Sequence, residues 1–161
     1  MAPFTVWLTF CLLVLLLCWA KPCAGRLFVG VFFLAMALGV NVVLALTDPE
    51  QFVALGTAAP LLPFYGWFFE RVVALAPALF GLLAAAYEVA VALLLLSRGR
   101  FVRWGLVGGI VFLLGITPLG VWTLPNPVLA LALTVLLGKR YDRSLLELLR
   151  SRQHGKGSLS Q

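Results

Sequence analysis

Charged residues are scarce in this chain of 161 residues. They make up 11% of it, whereas 63% of the residues are hydrophobic and the mean hydropathy is +1.07. A soluble domain carries about 25% charged residues, enough to coat a surface that faces water. This shortage excludes a soluble globular enzyme, a disordered chain and a small secreted module built on disulfides. The composition is that of an integral membrane protein. At about 20 residues per span, five transmembrane helices would fill most of the chain.

The side chains that build common catalytic and metal sites are also few. The one histidine, His154, lies near the C-terminus, and the three cysteines lie within the first 23 residues without a CxxC pair. No serine, histidine and aspartate are placed to form a catalytic triad, and no glycine-rich phosphate loop follows a strand. The sequence therefore predicts no catalytic residues and no metal site.

Long uncharged runs predict an all-α integral membrane bundle. We expect five transmembrane helices, at about 3–20, 27–47, 72–96, 101–120 and 126–140. The first run has no basic n-region and no good cleavage site, so we interpret it as a retained helix rather than a signal peptide. Residues 141–152 form either a helix on the cytoplasmic membrane surface or an extension of the last span. A polar tail at 153–161 is expected to be disordered.

The distribution of basic residues sets the expected orientation. Five spans with the N-terminus outside and the C-terminus cytoplasmic place eleven of the twelve Lys and Arg residues on the cytoplasmic side. The net charge of +6 then follows from topology, and we expect no nucleic-acid partner. If residues 51–69 also crossed, Arg98, Arg100 and Arg103 would lie outside. We therefore predict that 51–69, which prolines interrupt, does not span the membrane.

Small residues indicate where helices pack closely, because close packing drives helix association in lipid. Gly30 lies on the second predicted helix, Gly81 on the third, and Gly105 and Gly109 on the fourth. The first helix consists almost entirely of large residues. We therefore expect a core of four helices with a peripheral, lipid-facing N-terminal helix.

Glu88 is the residue most indicative of function. It precedes Arg98 by ten residues, or about 15 Å of helix, which places it near the middle of the membrane. An acid at that depth must be protonated, hydrogen-bonded or next to a wet cavity, because a bare charge there costs about 2.5 kcal/mol or more. Periodicity places Arg26 and Asn41 on one face of the second helix as candidate partners, directly or through water. Tyr87 is next to Glu88 and should point to a neighbouring face.

Two interpretations of these residues remain open. In the functional one, Glu88 with Asn41, Tyr87 and Arg26 forms a proton-handling or ligand-binding site inside the bundle. In the structural one, Glu88 is a protonated hydrogen-bond donor between helices that only stabilises the fold. Embedded acids are more often functional than structural, which favours the first interpretation.

Short motifs resemble the DoxX-like family over about residues 26–140. They are the segment GRLFVGVFF at 25–33, then a proline-broken segment, and YEV at 87–89 ahead of four leucines and a basic turn. Arg26, Gly30 and Glu88 are the residues that match. The resemblance implies a four-span bundle, to which the first helix would be an addition, associated with quinone-linked membrane redox work. A weaker resemblance is to sterol-binding bundles of the emopamil-binding type, whose cavities hold several acids where this chain has Glu88.

These observations lead to three hypotheses of function. The first is an accessory subunit, without catalysis of its own, of a redox complex in the plasma or inner membrane, with Glu88 near a quinone or proton path. It would contact lipid and either other membrane subunits or further copies of itself. The second is a proton-coupled transporter or channel, and the third a structural scaffold or a lipid- or sterol-binding bundle. The expected polar lining is thin for a permeation path, which favours the first.

Overall fold

The computed structural model describes residues 2–141, and this part of the chain is helical without any strand. It contains eight α-helices: α1 (Ala2–Ala20), α2 (Pro22–Met36), α3 (Val42–Thr47), α4 (Pro49–Thr57), α5 (Pro63–Arg71), α6 (Pro77–Leu96), α7 (Arg100–Ile116) and α8 (Asn126–Leu137). A π-helical turn, Ala37–Asn41, joins α2 to α3 into one rod. Short 3₁₀ turns lie at Val73–Leu75, Thr117–Leu119 and Val121–Thr123.

Three helices are long and apolar enough to cross a membrane: Pro22–Thr47, Pro77–Leu96 and Arg100–Leu119. Phe4–Ala20 and Val121–Leu137 are shorter apolar helices. The protein is therefore a helical bundle of a composition suited to a membrane. The predicted surface helix at 141–152 and the tail at 153–161 lie outside the described residues, apart from Tyr141.

Prolines set the starts of several helices. Pro22, Pro49, Pro63 and Pro77 each stand in the first turn of a helix, where the missing N–H costs nothing. For this reason the rod that contains α2 starts at Pro22, ahead of the predicted 27, and α6 starts at Pro77, after the predicted 72.

The five apolar helices form a closed ring in which α1, α2, α6, α7 and α8 pack in that order and α8 returns to α1. The expected peripheral position of α1 is therefore wrong. Cys11, Val14 and Cys18 recur at helical spacing and are buried in the main hydrophobic core. Gly25 of α2 approaches Cys18 so closely that an added Cβ would lie 2.7 Å from its Cα atom. The narrow row formed by Cys11, Val14 and Cys18 is therefore enough to pack α1 against the bundle, although most other residues of α1 are large.

From α1 through α2, α6 and α7 to α8 the helices alternate in direction, and α8 closes the ring parallel to α1, since Trp7 near the start of α1 donates to Asn126 at the start of α8. This arrangement gathers most basic residues at one end of the bundle. Gly25, near the start of α2, meets the end of α1, and the backbone N–H of Gly99 donates to the carbonyl of Tyr141, after α8. We call this the basic end. Its members among the described residues are Lys21, Arg26, Arg98, Arg100, Arg103, Lys139 and Arg140.

The segment predicted not to span, 51–69, folds over the opposite end as α4 and α5. Each has nine residues, about 14 Å, which is too short to cross a hydrocarbon core of about 30 Å. The Leu61 N–H donates to the Pro118 carbonyl at 2.9 Å, and the Tyr65 hydroxyl donates to the Gly115 carbonyl at 2.6 Å. These bonds hold the α4–α5 hairpin against the end of α7. We call this the cavity end, for the reason given next.

Candidate functional site

Glu88 and Asn41 meet directly at the contact between α6 and the π-helical turn. The side-chain N–H of Asn41 donates to Oε2 of Glu88 at 2.6 Å, and Glu88 is only 4% exposed. Of the two arrangements that the sequence allowed, a direct bond or a bridging water, the structure has the direct bond. Gly81, two turns before Glu88 on α6, packs against Ala45, one turn after Asn41, and brings the two helices close together.

The backbone around Asn41 departs from α-helical geometry. The N–H of Val42 donates to the carbonyl of Ala37, five residues earlier, which defines a π turn. Such turns insert one extra residue into a helix and are found often at functional sites. Here the turn supplies both Val40 and Asn41 to the wall of a cavity.

A cavity of about 390 Å³ borders the Glu88–Asn41 pair, within the size range of small-molecule sites. Its walls come from the α2–α3 rod, the α4–α5 hairpin, the middle of α6 and the end of α7 with the turns that follow it. The lining residues are Met36, Val40, Asn41, Phe52, Leu55, Phe69, Ala84, Glu88, Phe112, Ile116, Leu119, Gly120, Trp122 and Thr123. This lining is mainly apolar.

The third polar side chain of the lining, Thr123, is occupied by its own loop. Its hydroxyl lies 2.8 Å from the carbonyl of Thr117 and 2.7 Å from that of Gly120, and it accepts from the Gly120 N–H at 3.1 Å. Because one hydroxyl has one proton, these contacts use its donor capacity. The polar groups that a ligand would meet are therefore concentrated at Glu88 and Asn41.

The α4–α5 hairpin covers the cavity with aromatic rings. Phe52 and Phe69 both line it, with ring centroids 6.4 Å apart. Gly56 lies directly under the ring of Phe69, and a Cβ atom at this position would collide with it. Glycine is therefore needed here so that the hairpin can close.

Tyr87, predicted to point to a neighbouring face, does so. Its side chain is 41% exposed, its hydroxyl donates to the Gly108 carbonyl at 3.0 Å, and its ring stacks on Phe112. Tyr87 does not line the cavity, but it positions Phe112, which does.

Arg26 is separate from Glu88. Because α2 and α6 run in opposite directions, Arg26 packs at the basic end, beside Ser97, about 13 Å along the helix from Glu88. Its guanidinium lies 4.6 Å from the ring centroid of Tyr141 and donates to the Ser97 carbonyl at 3.5 Å. The structure therefore divides the predicted site group, with Arg26 at the basic end and Glu88 with Asn41 near the middle of the bundle, at the wall of the cavity.

Tyr141 completes the buried cluster around Arg26. Burial raises the pKa of its phenol to about 12, although the nearby guanidinium of Arg26 acts in the opposite direction. The hydroxyl therefore stays protonated in the physiological range and donates to the Leu136 carbonyl at 2.9 Å.

The glycines singled out for packing lie at helix contacts. At each of them an added Cβ atom would press on a neighbouring helix: Gly30 on Leu96, Gly81 on Ala45, Gly105 on Leu94 and Leu95, and Gly109 on Leu133.

The aromatic part of the cavity was not predicted from the sequence. Phe52 and Phe69 lie in the segment predicted not to span, and Trp122 lies between the fourth and fifth predicted helices. The two phenylalanines join the wall of the cavity because the hairpin folds back over the bundle. The clusters of prolines and aromatics near 60–69 and 118–127 were the available signal, since such segments often cover a bundle end.

Within residues 2–141, no three His, Cys, Asp or Glu side chains are grouped so that they could hold a metal ion. No family model, curated protein or solved structure matches the chain. The likeness to the DoxX-like family therefore stays a prediction.

Proposed function

We propose that this protein binds a lipid-soluble small molecule in the cavity beside Glu88, with the molecule's polar group against the Glu88–Asn41 pair. The observation that carries the proposal is a buried acid–amide pair at the wall of an otherwise apolar, ring-lined cavity of about 390 Å³. Ligand sites typically combine such apolar walls with a few converging polar groups. A bond between helices that only stabilised the fold would need no space beside it.

A transport path is less well supported. Beyond Glu88, Asn41 and the occupied Thr123, the only further hydrogen-bond donor or acceptor of nitrogen or oxygen among the described lining side chains is the indole N–H of Trp122. Towards the basic end, the large side chains of Phe33, Leu95 and Leu133 are fully buried between the cavity and Arg26. An ion or a polar solute would find no continuous series of partners through the bundle.

A quinone fits the chemistry of this cavity. Rings of Phe52, Phe69 and Phe112 offer faces for a flat headgroup. The remaining N–H of Asn41 can donate to an oxygen of the headgroup, and Glu88 can accept from a hydroxyl of its reduced form. If the resemblance to the DoxX-like family holds, the protein serves as an accessory subunit of a quinone-linked complex, with other membrane subunits or further copies of itself as partners. A sterol, with one hydroxyl on an apolar body, is the other ligand class that fits.

We further propose that all five apolar helices cross the plasma or inner membrane. The N-terminus would lie outside and the C-terminus in the cytoplasm. The gathering of Arg98, Arg100, Lys139 and others at the basic end supports this orientation through the positive-inside rule. Reporter fusions after residue 161 and within 59–62 test it. The first should report the cytoplasm and the second the outside, and the reverse pattern would overturn the orientation.

Lipid extraction of the protein, purified in a mild detergent, tests the binding proposal. Mass spectrometry should find a quinone or sterol retained in near-stoichiometric amount. Ala84→Phe fills the cavity and should lower retention at least tenfold. Leu83→Phe, on the exposed side of the same turn, is the matched control and should leave retention unchanged. If both variants retain the molecule like the unaltered protein, the cavity is not the site.

A further inference from the structure

Glu88 and Asn41 together offer the cavity more hydrogen-bond acceptors than donors. A carboxylate accepts in about four directions and donates in none, and a carboxamide has about two acceptor directions and two donor N–H groups. Asn41 donates one of its two side-chain N–H groups to Oε2 of Glu88. That leaves about three acceptor directions on Glu88 and two on Asn41, against one remaining N–H.

Other lining residues do not restore the balance. Among the cavity-lining side chains in the described part of the chain, none is Lys, Arg, His, Ser or Tyr, and the Thr123 hydroxyl is used by its loop. The indole of Trp122 adds one N–H donor, so acceptors still outnumber donors.

We propose that Glu88 is a carboxylate beside the cavity, and that the cavity therefore selects ligands whose polar group donates a hydrogen bond, an O–H or N–H, over matched ligands whose polar group only accepts. This inference rests on the proposed binding function and specifies it. A ligand carbonyl placed against Glu88 would bring acceptor to acceptor and leave both desolvated, whereas a hydroxyl or amine would satisfy the carboxylate. Glu88 is the residue that determines the preference, and Asn41 orients it.

The prediction distinguishes the two redox states of a quinone and the two oxidation states of a sterol. The reduced quinol has two hydroxyls, whereas the quinone has only carbonyls. A sterol has a hydroxyl where its 3-ketone has an acceptor. In each pair the apolar body is nearly the same, so the difference in affinity isolates the polar group.

Competition binding to the purified full-length protein in nanodiscs tests the preference, with decylubiquinol against decylubiquinone and cholesterol against cholestenone. A long-chain amine against its nitrile provides the N–H pair. We expect at least tenfold tighter binding of the donor in every pair that binds. Equal affinity within the pairs, or tighter binding of the acceptors, would overturn the inference while leaving the proposed function intact. Binding of no member of any pair would contradict the proposed function itself.

Glu88→Gln supplies a readout that a merely structural role would not move. Glutamine can keep its carbonyl on the Asn41 amide and present its own NH₂ to the cavity, so the preference should invert towards quinone and ketone. Asn41→Ala, which keeps the carboxylate, should retain the donor preference with weaker binding. Leu83→Phe should retain the full preference. A Glu88→Gln protein that still prefers the donor would show that another group sets the selectivity.

Discussion

At the basic end, Arg26 is 1% exposed and is surrounded by the ring of Tyr141, the carbonyl of Ser97 and the closely packed starts and ends of helices. At the cavity wall, near the middle of α6, Glu88 is buried to a similar degree but borders about 390 Å³ of open space. Both residues are ionisable side chains removed from water, and both join α2 or its continuation to α6. One is enclosed by its neighbours, and the other faces a space in which a molecule fits.

This difference separates a structural role from a binding role. Arg26 joins the α6–α7 turn to the segment after α8 through Ser97 and Tyr141, and at 1% exposure it is enclosed by groups of the protein. Glu88 has one bond to Asn41 and an open side, so its remaining acceptor capacity points to a ligand. Substitutions at the basic end should therefore affect mainly stability, and substitutions at the cavity end mainly binding.

Arg26→Ala should produce the largest loss of stability. Removal of a large buried side chain leaves a void, and the contact between the guanidinium and the Tyr141 ring is lost as well. We expect a decrease of about 3 kcal/mol in the free energy of unfolding, measured by denaturant titration in mixed micelles. Arg100→Ala, at an exposed position beside Phe101, should cost about 0.5 kcal/mol or less. Similar losses in both variants would mean that the basic end is not a closed structural cluster.

The sequence contained part of this distinction. Periodicity placed Asn41 and Glu88 on faces that could meet, and the depth of Glu88 marked it as a buried acid. The same periodicity also placed Arg26 on the face of Asn41, but a shared face does not say at which level an antiparallel partner meets it. The register of α2 against α6, fixed by packing such as Gly30 on Leu96, decides that Arg26 meets Ser97 instead.

Other features depend on the tertiary fold and could not be predicted from local sequence. The cavity exists because α4 and α5 fold back over the bundle, which brings Phe52 and Phe69 to Glu88 although they are 36 and 19 positions away along the chain. The burial of α1 depends on Cys11 and Cys18, which are small enough to admit a neighbouring helix. Hydropathy does not distinguish such a face from one that meets lipid.

Gly105→Ala, compared with Gly39→Ala, tests the close packing of α7 on α6 towards the basic end, and its expected effect is intermediate. Gly39 is exposed and does not line the cavity, so it serves as the control. A Cβ atom at Gly105 would lie 2.8 Å from the backbone nitrogen of Leu95, which cannot yield easily, whereas at Gly39 it meets nothing within 4 Å. We expect Gly105→Ala to lose about 2 kcal/mol of unfolding free energy through overpacking. Gly39→Ala should be neutral or gain up to about 1 kcal/mol, because alanine favours a helical backbone. A loss at Gly39 equal to that at Gly105 would contradict this difference in packing.

Glu88→Gln should have the smallest effect on stability and the clearest effect on binding. The glutamine carbonyl can still accept from the Asn41 amide, and the new NH₂ faces the cavity rather than a packed wall. We expect a change of about 0.5 kcal/mol in the free energy of unfolding of the ligand-free protein, together with altered ligand retention in the extraction experiment. A loss of more than about 2 kcal/mol with unchanged retention would favour the structural interpretation of Glu88. Because the two interpretations predict opposite ratios of stability change to binding change, this one variant decides between them.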